Sequence, residues 1–411
     1  MSIMLVPARR LALMLAPILI GAVAAPVTAQ SGEAPTGMTL DRVVMLMRHG
    51  VRAPLDGEVP KGTRTAQPWP TWSTPESALT PNGADALAAE ARADRADWVA
   101  QGLLPANGCP APGTIRIWTN SSSRTIASGT AYARGLTPEC PLAVGHKSMG
   151  DVDPLFEPLR ARASHFDAAT AVADIDRFTG GMAALDARHR DALRLLDAVL
   201  GCGAPEGCDP AGPPRLTPST DGHGIDLSGP IRTASGTAQV LLLQYAEGLS
   251  PSVGGLPVDG AVLARLGAVH AALFDVYSRS PYMAAHQSAA FGRHMIAALT
   301  DPKGARIDLL VGHDTNVTAL AALLGFDLVA PGYAVNDAAP GGAILIRRWH
   351  DRAGKTFVTL AYRTQSPDQI RTKSDAVTLT PIQVPGCPAD APCPLDRFVT
   401  LFGNRLAPLA N

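Results

Sequence analysis

The chain has almost no net charge. Its 35 Lys and Arg offset 36 Asp and Glu, which leaves −1 at pH 7. No overall basic field draws in nucleic acid or an anionic membrane, so any anion site is a local cluster. Charged residues are sparse, 17% of 411, against 46% hydrophobic. A full core can therefore be buried, in one large domain or two of ordinary size. There is no C-x-x-C pair and no Cys/His cluster with metal-ligand spacing, which speaks against a zinc site. Internal repeats are absent, as is any low-complexity tract beyond an alanine bias. Past the N-terminus no run reads as long and apolar enough to span a bilayer.

The N-terminus itself is different. Arg9 and Arg10 form a positive segment, Leu11 to Ala25 is apolar, and Val27-Thr-Ala29 offers a small-residue cleavage site. This reads as a signal peptide over residues 1–29, with the mature chain beginning near Gln30. An uncleaved membrane anchor is the alternative. The six cysteines, Cys109, Cys140, Cys202, Cys208, Cys387 and Cys393, then read as disulfide partners in a secreted or periplasmic protein. Fifteen pairings are open. Sequence proximity favours Cys202–Cys208 and Cys387–Cys393, leaving Cys109–Cys140.

The chain is organised around residues 42–54. Val43-Val-Met-Leu-Met47 has no polar alternation, as expected of a strand buried on both faces of a parallel sheet. It breaks into Arg48-His49-Gly50-Val51-Arg52-Ala53-Pro54. Two guanidiniums and an imidazole therefore sit at a strand's carboxyl end, where open α/β sheets place their sites. Guanidinium forks match phosphate oxygens, and a neutral imidazole between them is a plausible nucleophile toward phosphorus. Gly50 is expected to let the backbone turn and to give a ligand close access.

Two further strand ends carry polar clusters. Ile115-Arg-Ile-Trp-Thr119 reads as a strand, followed by a turn at Asn120–Ser123 and a helix from Arg124 to Arg134. Arg124 in a helical first turn makes an anion site. Ile307–Val311 reads as a third buried strand ending in Gly312-His313-Asp314-Thr315-Asn316, with a helix from about Val317 to Leu324. Thr80 and Pro81 open a helix running to about Gln101. Residues 160–290 are mostly helical in period, including 168–200, 231–248 and 262–279. Residues 343–349 and 356–363 read as an antiparallel hairpin at a sheet edge. The expected fold is α/β, a mostly parallel central sheet flanked by helices, formed by 39–155 and 291–411. An α-helical cap, 156–290, is inserted.

Arg48-His49-Gly50-x-Arg52-x-Pro54 resembles the signature of the histidine acid phosphatases, the branch that includes phytases and acid glucose-1-phosphatases. Leu79-Thr80-Pro81-x-Gly83, Arg124-Thr-x-x-Ser128-Gly129 and His313-Asp314 resemble further landmarks of that family, in its order. The proximity-favoured cysteine pairs also resemble those of bacterial members. The resemblance implies that His49 attacks phosphorus and carries it as a phosphohistidine. Arg48, Arg52, Arg124 and His313 would hold the phosphate. Asp314 would protonate the leaving oxygen and then activate water. No cofactor or metal is implied, and the partner is a small-molecule phosphomonoester, with no nucleic acid and no membrane after signal cleavage. Sequence leaves the oligomeric state open.

Substrate is less constrained. Leu55-Asp56 after the motif supplies no lysine of the kind phytases carry and looks glucose-1-phosphatase-like, whereas Gly50 and Thr315 look phytase-like. A sugar phosphate is expected, with phytate as the alternative. A phosphomutase fits poorly with an exported, disulfide-bonded chain. A non-catalytic phosphosugar-binding protein gives no reason for His49 or Asp314. The remaining histidines read as ordinary; His286 and His294, eight apart on one expected helix, lack a third metal ligand. Trp69 and Trp72 line a substrate entrance or pack under a loop.

Overall fold

The computed structural model describes residues 34–410; the expected signal peptide lies outside them. The chain opens with β1 (Thr39–Arg48), α1 (Pro81–Ala100), β2 (Ile115–Thr119), α2 (Ser123–Leu136) and β3 (Val144–Gly145). A helical stretch follows: α3 (Ala168–Thr179), α4 (Met182–Arg188) and α5 (Arg190–Leu200). The two-stranded hairpin β4 (Arg215–Pro218) and β5 (Ile225–Ser228) interrupts it before α6 (Pro230–Glu247) and α7 (Gly260–Phe274). A π-helical turn, Asp275–Arg279, joins α7 to α8 (Pro281–Gln287), and α9 (Ala289–Thr300) follows. Next come β6 (Ile307–Gly312), α10 (Asp314–Leu324), β7 (Ala343–His350), β8 (Thr356–Thr364) and α11 (Pro367–Arg371). The chain closes with β9 (Thr378–Ile382), β10 (Cys393–Pro394) and α12 (Leu395–Gly403).

The central sheet has 8 strands in the order β10-β8-β7-β1-β6-β2-β3, with β9 also on β8. β1, β6, β2 and β3 are mutually parallel. β7 returns antiparallel to β1 and β8 antiparallel to β7, so β8 points the same way as β1. Five of the eight strands thus share one direction, in a mixed, mostly parallel sheet. Arg48 aligns with Gly312 and Thr119 with Val311. Three strands therefore end at one level, and each leads into polar residues.

β1 lacks alternation because both of its faces are covered. Val43, Met45 and Met47 join Leu87, Trp98, Tyr132 and Leu136 of α1 and α2. Val44 and Leu46 face the opposite layer, with Leu241, Val269, Phe291, Leu320 and Phe402. All five β1 residues are fully buried, and each such side chain contributes about 1.5–3 kcal/mol of burial free energy. The second cluster runs without interruption from the sheet into α3–α9, so these helices share the sheet's core.

Several expectations change in detail. The 168–200 stretch is three helices: left-handed Gly180 (φ 74°) ends α3, and α4 gives way to α5 at His189. His286 and His294 fall on α8 and α9, separated at Ser288, so they share no single helix face. The β7–β8 hairpin is not an edge. Short β9 and β10 cover it, and their prolines, Pro381 and Pro394, hide them from a propensity reading. Gly260–Arg279 is long and apolar enough for a membrane span by length and composition. Half of it is buried inside the fold, where Leu266, Val269 and Ala272 pack into the core. Trp69 and Trp72 pack against hydrophobic clusters.

Candidate active site

His49 is the first residue beyond β1, and its backbone is held from both sides. Its N–H donates to Gly312 O (3.0 Å), and its carbonyl accepts from Gly341 N–H (3.1 Å). His313, the first residue beyond β6, caps α10. Equal registers place the two imidazoles side by side, with ring centroids 5.5 Å apart and planes at 72°. Gly50 has no left-handed conformation, contrary to the expected turn. Its absent side chain matters for packing, since a Cβ there would lie 2.7 Å from Leu87 Cδ1. Gly50 N–H instead donates to Ser128 Oγ (3.1 Å), tying the motif to α2.

The hydrogen bonds assign both tautomers. His49 Nδ1 lies 2.8 Å from Gly50 O. A carbonyl only accepts, so Nδ1 carries the hydrogen and Nε2 keeps its lone pair. His313 is the reverse. Its Nδ1 accepts from Arg124 Nη2 (3.3 Å) and its Nε2 donates to Asn120 Oδ1 (3.0 Å). Burial, reinforced by Arg124, pushes His313 down to about 3. Burial and then Arg124, Arg48 and Arg52 push His49 well below the ordinary histidine value. Both imidazoles are therefore neutral near neutral pH, and the acceptor role of His313 Nδ1 independently requires it of that ring.

Asp314 opens α10. Burial alone would raise its carboxyl, but Arg48 Nη2 at 2.9 Å outweighs burial and holds it well below the usual carboxylate range. Arg48 is completely buried behind it and also donates to Ala338 O. Arg52 is engaged by a carboxylate that the sequence did not point to. Glu58 Oε2 and Oε1 accept from Arg52 Nη1 (2.6 Å) and Nη2 (2.7 Å). Arg124 stands in the first turn of α2; burial and Arg52 lower it to about 10, still a cation. Arg48, Arg52 and Arg124 each keep a buried Nε–H without a hydrogen-bond partner among the described residues. Unpaired buried donors beside two helix N-termini suit an oxyanion.

These groups meet at a cavity of about 520 Å³, a size suited to a small ligand. His49, Arg52, Arg124, His313 and Asp314 line it, while Arg48 reaches it through Asp314. The structure thus brings together all six expected phosphate-site residues, although His313 has both ring nitrogens engaged. Sequence reading missed Asn120, Glu58 and the buried His270–Asp337 pair (Nδ1···Oδ1 2.8 Å), whose histidine lines the cavity. The disulfides are Cys109–Cys140, Cys202–Cys208 and Cys387–Cys393. Among the described residues no His/Cys/Asp/Glu cluster could hold a metal ion.

Residues 39–171 match the sequence profile of the histidine phosphatase superfamily (branch 2). The glucose-1-phosphatase of Salmonella typhimurium is 29% identical over 94% of this chain and 97% of its own. Phytase AppA of Escherichia coli is 29% identical with the same coverage. Among solved structures, the Hafnia alvei phytase superposes with a TM-score of 0.84 at 30% identity. That match covers 91% of this chain and 99% of the phytase.

Proposed function

Because the chain belongs to branch 2 of the histidine phosphatase superfamily, whose members hydrolyse small phosphomonoesters, we propose that it acts through a phosphohistidine on His49. The observation that carries this reading is the His49 Nδ1–H···O=C bond, which leaves Nε2 as a lone-pair nucleophile at the cavity. Nε2 attacks phosphorus, the P–O ester bond breaks, and Asp314 delivers a proton to the leaving oxygen. A water then attacks phosphorus and the P–Nε2 bond breaks; Asp314 takes that water's proton, phosphate leaves and Nε2 regains its lone pair. Arg48, Arg52 and Arg124 stabilise the non-bridging oxygens. His313 joins them once Asn120 releases its Nε2–H, the one ring nitrogen that donates.

In the free enzyme Arg48 keeps Asp314 ionised. The proton must therefore arrive with substrate, whose dianion beside Asp314 opposes the pull of Arg48 and raises that carboxyl. Acidic conditions favour this loading, hence an acid phosphatase. No metal enters the scheme. Helices from 156–290 form the cap over the sheet's carboxyl ends; α6 and α7 lend Arg232, Gln239 and His270 to the cavity wall. We assign the protein to a secreted or periplasmic location, in keeping with its three disulfides.

Within that class the favoured substrate is a sugar phosphate such as glucose-1-phosphate. Leu55 and Asp56 stand where a lysine would favour a polyanion. The cavity lining carries four arginines (52, 124, 160, 232), four carboxylates (56, 58, 157, 314) and no lysine. Phytate is the second reading, favoured by Arg160 and Arg232 at the cavity. The test is phosphate release between about pH 4 and 6 with EDTA present, comparing glucose-1-phosphate, phytate and an aryl phosphate. Hydrolysis with glucose-1-phosphate preferred is expected, together with loss of on the order of 10⁴-fold or more in His49→Ala. Stoichiometric phosphosugar binding without release would instead leave a binding protein.

A further inference from the structure

We propose that Glu58 sets the charge limit of the site, competing for the Arg52 fork so that esters bearing one phosphate are accepted while polyanions and free phosphate are held weakly. This rests on the phosphatase reading and adds the charge class of the substrate.

Glu58 is not an incidental surface partner. Its side chain is 9% exposed and that of Arg52 5%. Both carboxylate oxygens take the two terminal guanidinium nitrogens, and Oε2 accepts a third bond from Leu55 N–H (2.8 Å). A two-pronged Arg–carboxylate pair has the geometry of an Arg–phosphate pair. The carboxylate thus takes the donors that a phosphoryl group would use.

The backbone below Glu58 is fixed as well. α6 approaches so closely that a Cβ on Gly236 would sit 1.9 Å from Glu58 O. Glycine is the residue that admits this contact, and the contact places the carboxylate at the cavity wall.

Charge arithmetic supplies the consequence. Around the nucleophile stand Arg48, Arg52 and Arg124 against Asp314 and Glu58, with both imidazoles neutral. In the free enzyme, where Asp314 is ionised, the sum is one positive charge; without Glu58 it would be two, the match for a phosphate dianion. One dianion already exceeds the cradle's charge, and a second phosphate on the same substrate meets a lining with no cation surplus. At a few ångströms in a partly dry site, one added charge changes anion affinity by about tenfold or more.

The test uses Glu58→Gln and Glu58→Asp in the whole mature enzyme at acid pH. It measures the inhibition constant of inorganic phosphate and the kcat/KM ratio of phytate to glucose-1-phosphate. In Glu58→Gln the inhibition constant should fall about tenfold and the ratio should rise about tenfold. Glu58→Asp, which keeps the charge, should stay within about threefold of wild type. An unmoved ratio in Glu58→Gln, or equal shifts in both variants, overturns the proposal, since loss of loop support would act that way.

Two measurements stand apart from turnover. Calorimetric titration of inorganic phosphate should show the same affinity gain in Glu58→Gln. If no ester were hydrolysed, the phosphatase reading would fail, yet this titration would still decide the role of Glu58. A phosphate-soaked crystal of wild type should show the Glu58 carboxylate parted from Arg52, with phosphate on the fork. Phosphate bound with the Arg52–Glu58 pair intact overturns the idea without any variant.

Discussion

The acceptor on His49 Nδ1 is the carbonyl of the next residue, so the nucleophile's orientation is set within two adjacent residues. Asp314, by contrast, is set by a partner far away in sequence, Arg48. The two residues therefore fail differently when changed. Asp314→Asn keeps the cradle but removes the proton donor, which should cost alkyl phosphates about 10²–10⁴-fold. Aryl phosphates, whose leaving groups need little protonation, should lose less than about tenfold. Steady-state rates on a matched alkyl and aryl pair decide it, and equal losses would remove Asp314 from the acid role. The imidazoles carry a second prediction. His313 in the folded protein takes a proton only near 3, and His49 likewise resists protonation; unfolded histidines take theirs near 6.5. Between these values the unfolded chain binds more protons, so stability falls as pH drops below about 6.5. Activity should nevertheless persist through pH 5, because the nucleophile stays neutral there. A melting temperature that declines from pH 7 to 5 while kcat/KM does not fall over the same range is the expected pair of profiles.

At the scale of elements, the site depends on how α10 begins. Asn316 Oδ1 accepts from His313 N–H (2.9 Å), and its Nδ2 donates to Phe156 O (2.8 Å). One side chain thus caps the helix carrying Asp314 and ties it to the segment leading out of the sheet. Asn316→Ala should cost about 1–3 kcal/mol for the groups left unpaired and lower kcat by more than about tenfold. Thermal melts read beside kinetics check this; an unchanged kcat would mean that Asn316 only stabilises. The end of β1 was legible in the sequence because burial on both faces writes an unbroken apolar run that stops where polar chemistry starts; β2 and β6, interrupted by Arg116 and Asp308, were legible by the polar residues and helix that follow each. β9 and β10 were not, because short proline-bearing strands gain their identity from β8 alone. Asn120, Glu58 and the His270–Asp337 pair were hidden for another reason. Asn120 meets His313 across 193 residues and His270 meets Asp337 across 67, and no local period encodes such meetings. Arg52 was legible as a cation, but its engagement by Glu58 depends on a loop path set by Gly236.

Across the whole molecule, the three disulfides brace different things. Cys109–Cys140 spans 31 residues and joins the loop after α1 to the loop after α2. Cys202–Cys208 spans only 6, yet its surroundings reach toward the site. Cys208 O accepts from Arg64 N–H (3.0 Å), Leu200 O from Ala66 N–H (2.9 Å), and Asp209 Oδ1 from Thr63 Oγ1 (2.6 Å). Residues 63–66 continue the loop that carries Glu58. Chain entropy gives the longer bridge about 3–4 kcal/mol and the shorter about 2. Stability and activity should therefore separate. Cys109→Ser with Cys140→Ser should lower the melting temperature more, and leave kcat/KM within about twofold, because its loops lie outside the cavity lining. Cys202→Ser with Cys208→Ser should lower the melting temperature less but shift KM and phosphate inhibition, because the loop under Glu58 loses its anchor. Melts and kinetics on the two double variants settle the matter. If both quantities ranked the variants in the same order, the short bridge would be a stability element only, and the loop would hold its place through Gly236 without it.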